Sequence, residues 1–478
     1  MEHEKDDFTE KQRSASEVSS SSSSPPPDPA RHGFDAYLEA EEPFFHSFSK
    51  TFTLDKDPPY YAIGQKGSMP KPIIQHYKEG LDQIAKDPFP VYLEPSNKTR
   101  EKIARCYGAD LDEIAIARNT TDAITQILWG IDWRQGDELL TSTLEYPNCV
   151  ATILRVAGRF NIRIRQFAVP MARDATAEEV VESVRRSIKP GKTKAIFFSC
   201  PCQPSGMLFP ARRIAKLAQE YGIITIVDGA HYGGQFDPQL NELGIDFWGI
   251  SGHKWQCGPG GTGVLYVRNR PNKANPNNPP PFYLLRSGAL DAPTDGSRSS
   301  GFDIGAALSV YGFPESADWR ALGEACELWE AVGRKRIQDY ILALADYTRR
   351  TIVRTFGEQA LLQPARDPEL KSGIIAFNPF PTESLRRDGT LGMKFQERIF
   401  EEHRIRIGAG GLGPTGLTRP PDPEAHFFPL HSIPNRNPAT GEPAPTPCPM
   451  RVDACVWLTR ADMDLFVTVC QELAKKMT

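Results

Sequence analysis

The chain has 478 residues, 40% of them hydrophobic and 24% charged, with a net charge of −4 at neutral pH. That length is too great for one small core and suits two domains, while the charge balance favours neither nucleic acid nor an acidic membrane surface as a partner. No apolar run approaches the roughly 20 residues a membrane span requires, and the charged start, MEHEKDDFTEKQRSASE, lacks the apolar centre of a secretory signal, so a cytoplasmic address is expected.

Residues 1–33 contain the run Ser19 to Ser24 followed by Pro25, Pro26 and Pro27, a composition that cannot bury a core and predicts a disordered tail. An arm over 34–75 follows. Helices are expected over 73–84 and 97–107, then a strand over 113–117 that runs into Arg118-Asn119-Thr120-Thr121-Asp122. The next helix carries Ile124, Ile127 and Leu128 on one face. Thr120 and Thr121 therefore stand at a strand-to-helix turn, where free N–H groups and hydroxyls bind phosphate, although helix capping explains them equally well.

Strands over 137–143, 162–167 and 194–199 and a helix over 177–188 continue the alternation. The close thiols Cys200 and Cys202 come next; nine cysteines without a Cys-x-x-Cys cluster do not make a disulfide framework, so this pair reads as reduced, with metal binding a minor alternative. The apolar run 222–227, bounded by Gly222 and Asp228, reads as a strand buried on both faces that delivers Asp228 to its C-terminal end. A second strand, 246–250, runs into Ser251-Gly252-His253-Lys254 and brings an amine to the same edge 26 residues later. The segment 263–267 is expected as an antiparallel or returning strand. This order predicts an α/β fold with a mostly parallel sheet and right-handed crossovers, in a large domain over 76–310.

Helices over 319–333 and 337–353, strands over 373–377 and 450–457 and a last helix over 462–475 predict a smaller α+β domain over 311–478. Two Pro-rich insertions interrupt the pattern, 269–300 and 408–449, and the second is long enough for an active-site lid. Arg451 in an apolar strand is costly unless paired, whether by a ligand or by a salt bridge.

An acid and a lysine at neighbouring strand ends, where open α/β sheets bind ligands, suit one cofactor well. Pyridoxal phosphate needs a lysine to hold its aldehyde and an aspartate facing its ring nitrogen. At about 4 Å and an effective dielectric near 20, that pair attracts by roughly 4 kcal/mol, enough to keep the ring nitrogen protonated near neutral pH. Taken singly, an Asp at a strand end also serves as a cap or salt-bridge partner and a Lys as a surface charge.

The sequence Asp228-Gly229-Ala230-His231 followed by Ser251-Gly252-His253-Lys254-Trp255 resembles the class V aminotransferase family of pyridoxal-phosphate enzymes, over about 60–475. The resemblance implies fold type I, with a seven-stranded type of sheet, and a homodimer with its sites at the subunit boundary. It implies a Schiff base on Lys254, which then moves protons at Cα, and Asp228 facing the pyridinium. Thr120, Thr121, Ser251 and His253 are implied to hold the phosphate, and Gln203 and His231 to approach the phenolic oxygen. Tyr146 stands where desulfurases of the family have a His, as in the branch resembling isopenicillin N epimerase; an aromatic there stacks on the ring and serves as a proton donor, although a core tyrosine is the plain alternative. Arg451 is implied to bind the substrate carboxylate, with Arg406 assisting.

Gln65 and Ser68 stand where relatives have an Asn or His near the substrate, and Ser297, Ser299 or Ser300 where relatives donate a phosphate contact across the dimer. The desulfurases' mobile Cys has no counterpart over 408–447, and Cys448 lies only three residues before Arg451, which disfavours persulfide chemistry. The expectation is an enzyme acting at Cα or Cβ of an amino acid, a lyase or an epimerase ahead of an aminotransferase or a cyclising or decarboxylating enzyme. A silent cofactor-binding interaction protein is the non-enzymatic alternative.

Overall fold

Seven short strands form the first sheet: β1 (Ile114–Ala117), β2 (Glu138–Ser142), β3 (Arg163–Phe167), β4 (Thr193–Ser199), β5 (Ile224–Gly229), β6 (Phe247–Ser251) and β7 (Gly263–Val267), in the order β1-β7-β6-β5-β4-β2-β3. Strands β2 to β6 pair in parallel, and β7 runs antiparallel between β6 and β1. The structure, a computed structural model, describes residues 28–29, 33–55, 57–88, 95–285, 293–297, 301–309, 316–362, 366–409 and 449–478. Most of the N-terminal tail, the greater part of the proposed lid with Cys448, and Ser299 and Ser300 lie outside those residues.

The long helices are α1 (Phe34–Phe48), α2 (Lys71–Lys86), α3 (Pro95–Tyr107), α4 (Thr120–Gly130), α5 (Pro147–Phe160), α6 (Ala177–Ser187), α7 (Ala211–Glu220), α8 (Ser316–Val332), α9 (Arg334–Phe356), α10 (Gly389–His403) and α11 (Arg460–Met477). The two-residue period of a strand sends alternate side chains to opposite faces. In β4, Ile196 and Phe198 meet Val180 and Val184 of α6 and Ile214 and Leu217 of α7 on one face. Ala195 and Phe197 meet Ile127 of α4 and Ile153 and Val156 of α5 on the other. Both faces are thus covered, which is why these strands are continuous apolar runs.

A second, antiparallel sheet contains β8 (Ile374–Phe377), β9 (Gly408–Ala409) and β10 (Met450–Asp453), in the order β8-β10-β9. Ile375, Phe377 and Val452 pack there with Ile341 and Leu344 of α9 and Phe466 of α11. The strand expected over 450–457 ends at Asp453, because its partner β8 is four residues long and the ladder stops at Asp453 opposite Ile374. The chain then turns, with Leu458 N–H donating to Cys455 O at 3.2 Å.

The N-terminal arm is helical at its start. Helix α1 buries Tyr37, Leu38, Phe44, Phe45 and Phe48, Phe45 stacks on Tyr340 of α9 at 3.9 Å, and the Tyr37 hydroxyl donates to Arg336 O at 3.0 Å. Its continuation passes Gly64 and Gly67 and lies against both the lysine loop and β10. Gly64 N–H donates to Asp453 Oδ2 at 2.7 Å and Gly67 N–H to His253 O at 2.8 Å.

Candidate active site

The register places Asp228 of β5 beside Ser199 of β4 on one side and Gly249 of β6 on the other. The C-terminal ends of these strands, with those of β1 and β2, therefore open onto one edge of the sheet. They enclose a cavity of about 680 Å³ lined by Thr120, Thr121, Tyr146, Gln203, Asp228, His231, Ser251, His253 and Lys254 among others. All nine residues named for the cofactor from sequence thus meet in one place.

At one end Asp228 is 4% exposed. Its Oδ1 accepts from Ala230 N–H at 2.9 Å and its Oδ2 from the Cys149 thiol at 3.3 Å. Burial raises its pKa, opposed by the Ala230 bond, the positive charge of Lys254 and the Cys149 bond. Neither hydrogen-bond donor is a cation, and among the described residues no cation comes within ion-pair distance. A protonated ring nitrogen would supply the missing charge.

The other end is an anion cradle. Helix α4 starts there, capped by Asn119, whose side chain accepts from Asp122 N–H at 2.9 Å, and the first N–H groups of a helix have no partner within it. The hydroxyls of Thr120 and Ser251 are 2.7 Å apart, and the His253 Nδ1–H donates to Thr262 O at 3.3 Å, which leaves Nε2 unprotonated while burial lowers the ring's pKa. A buried carboxylate at one end, hydroxyls and helix N–H groups at the other and an amine between them fit pyridoxal phosphate.

Lys254 lies three residues beyond the end of β6. Its Nζ is 3.3 Å from His231 Nε2, and burial pushes its pKa down to about 8, with the nearby Asp228 opposing. The backbone at this point is crowded: a Cβ on Gly67 would lie 2.0 Å from Lys254 O. Tyr146 precedes α5, half-buried at the cavity wall, with Asn148 Nδ2 donating to its hydroxyl at 3.4 Å. Burial raises its pKa, helped by the negative charges it would meet at Cys149 and Asp228.

The two arginines named from sequence stand elsewhere. Arg451 is 1% exposed, under the arm instead of in the cavity wall, with Nη1 donating to Gln203 O at 3.2 Å and Nε 3.4 Å from Asp453 Oδ1. A salt bridge therefore exists, though a buried one. Arg406 is exposed, with its guanidinium 4.2 Å from the centre of the Phe400 ring, and does not line the cavity. Gln65 is also exposed, its Nε2 donating to Ile407 O at 3.4 Å.

Sequence reasoning missed three buried groups near the site. Glu145 accepts from Ser142 Oγ, from Ser199 Oγ at 2.6 Å and from Ser199 N–H at 3.3 Å, and burial pushes its pKa up to about 7. Cys149 places its thiol on Asp228. Asp453 pairs with Arg451, and the Arg-x-Asp spacing on one strand face was the available signal.

Comparison with known proteins agrees with this geometry. Residues 93–383 match the family model described as aminotransferase class-V. Isopenicillin N epimerase of Streptomyces clavuligerus is 27% identical over 361 residues, covering 74% of this chain and 88% of that protein. Hercynylcysteine sulfoxide lyase of Schizosaccharomyces pombe is 28% identical over 229 residues, covering 46% of this chain and 57% of that protein. A solved structure of C-DES with glycine covalently linked to its pyridoxal-phosphate cofactor superposes with a TM-score of 0.66 at 20% identity, covering 86% of this chain and 96% of that one. The architecture is that of fold type I, and the chain belongs to the class V aminotransferase family of pyridoxal-phosphate-dependent enzymes.

Proposed function

We propose that the chain is a β-eliminating lyase that cleaves a C–S bond in an amino acid. The observation that carries this reading is the opposed proton character of two groups in one cavity: the Lys254 amine is pushed down to about 8, whereas the Tyr146 phenol is pushed up. Pyridoxal phosphate, when bound, supplies the electron sink for a negative charge at Cα. Lys254 would anchor it and, with its amine free, would accept the Cα proton. Asp228 would face the ring nitrogen, Thr120, Thr121, Ser251 and His253 would hold the phosphate, and Gln203 and His231 would bind the phenolic oxygen.

Tyr146 retains its proton and gives it to the departing sulfur. Arg451 acts from beneath the cavity wall: its positive charge reaches Lys254 and His231 and draws the substrate carboxylate toward that end. Arg406, on the surface beside Phe400, takes no part. Persulfide transfer is disfavoured by the sequence, which has no cysteine over 408–447.

An epimerase must remove a proton from one face of Cα and return one to the other, so in one direction its second group acts as a base. A phenol held protonated is poorly suited to that task. Epimerisation is nonetheless the second reading, favoured by the long match to the isopenicillin N epimerase. Incubating the loaded protein with S-substituted cysteines and their sulfoxides in deuterated water separates the two. Elimination yields pyruvate, ammonium and a sulfur product in equal amounts. Inverted, Cα-deuterated amino acid without pyruvate would replace the lyase reading with the epimerase. We further propose a symmetric homodimer in the cytoplasm; no described helix is long and apolar enough to cross a membrane.

A further inference from the structure

His231 and Trp255 form a contact that the sequence motifs do not assign. The Trp255 indole N–H donates to His231 Nδ1 at 3.2 Å, and an indole nitrogen can only donate. Nδ1 therefore carries no proton, and a neutral imidazole with a bare Nδ1 carries its proton on Nε2. That nitrogen lies 3.3 Å from Lys254 Nζ. For a hydrogen bond to exist between them, the amine must be the acceptor, which requires its uncharged form.

The arrangement is held firmly. His231 is 2% exposed and Trp255 1%, so water does not compete for either ring. Trp255 is closely packed: a Cβ on Gly373 would stand 3.0 Å from its ring atom Cη2, and one on Gly234 2.2 Å from its backbone carbonyl carbon. The charged groups acting on His231 are Lys254, Arg451 and His253, all of which disfavour an imidazolium in addition to its burial. Asp228 and Asp453 act on Lys254 in the opposite sense to Arg451.

We propose that Trp255 is a positioning residue that locks His231 in its Nε2–H form, so that the lysine end of the cavity always meets a hydrogen-bond donor and never a second base. Lys254 then has no competitor for the Cα proton, and a group bound at that end is met by an N–H. This rests on the reading of Lys254 as the base of the reaction.

The test is nitrogen NMR on the full chain with labelled histidine, with cofactor bound and after its removal, the His231 signal being assigned by its loss in His231→Gln. The expected spectrum has Nδ1 unprotonated and Nε2 protonated, from pH 6 to 9 with the cofactor bound and at pH 9 in the cofactor-free chain, where the Lys254 amine is uncharged. Trp255→Phe should mix the two forms and restore titration of His231, and it should shift the acid limb of the pH–rate profile. In a His231→Gln background, where an amide N–H donates without help, Trp255→Phe should leave that limb unmoved.

A wild-type His231 that is protonated on Nδ1 under those conditions, or titrates between pH 6 and 9 with the cofactor bound, overturns the inference, and so does an equal effect of Trp255→Phe in both backgrounds. If Trp255→Phe does not fold, the wild-type spectrum alone decides. Failure of the lyase reading would appear in the products and leave the spectrum of the cofactor-free chain unchanged.

Discussion

Glu145 has serine donors around it and, among the described residues, no cation beside it, so burial decides its protonation. Its pKa rises from 4.5 to about 7. Below pH 4.5 the folded and unfolded chains both hold the proton, and up to about pH 7 the folded chain holds it more tightly. The stabilisation is therefore full below the unfolded value and lost as pH rises through the folded one, a change of up to about 3 kcal/mol. Glu145→Gln keeps the group neutral throughout, so the cofactor-free variant should gain on wild type between pH 5 and pH 8 in urea midpoints. A difference that stays constant with pH would contradict this. Tyr146→Phe should keep cofactor affinity and lower turnover by about 10²–10⁴-fold, the usual worth of a general acid; loss of the cofactor instead would make Tyr146 a structural wall. Asp228 and Lys254 were legible in the sequence because one lies at the end of a short apolar strand and the other just beyond one. Glu145, Cys149 and Trp255 were not, because their partners come from other strands and loops and exist only after folding.

At the scale of elements, the arm and the lysine loop touch backbone to backbone. Gly67 N–H donates to His253 O, and a Cβ there would collide with Lys254 O at 2.0 Å. Gly67→Ala must displace one of the two segments, and overpacking of this kind costs about 1–3 kcal/mol. We expect weaker cofactor binding by roughly 10-fold or more, measured by titrating the cofactor-free variant with pyridoxal phosphate; wild-type affinity would show that the segments are not packed in this way. The amphipathic period of α4 was plain from Ile124, Ile127 and Leu128. The sequence marks α1 only as part of an arm: Pro43 lies inside it, and its aromatic face is explained only by α9 against it. The loss of the last residues of β10 likewise reflects the length of its neighbour and not its own alternation.

For the whole molecule, a parallel α/β sheet followed from the alternation of strands and helices, and the neighbouring of β5 and β6 carries acid and amine to one crevice. The insertion of β7 between β1 and β6 was not legible, since strand order is set by contacts between distant residues. Light scattering on the purified chain should give twice the mass of 53.2 kDa, and a monomer at working concentration would contradict the proposed dimer. The central claim is that Lys254 and Asp228 hold opposite parts of one pyridoxal phosphate. Its most direct measurement is borohydride reduction of the yellow protein followed by peptide mass analysis. Reduction should leave a pyridoxyl group on Lys254 and bleach the visible band, and Lys254→Ala should show neither. A colourless protein, or an adduct confined to another lysine, would contradict it.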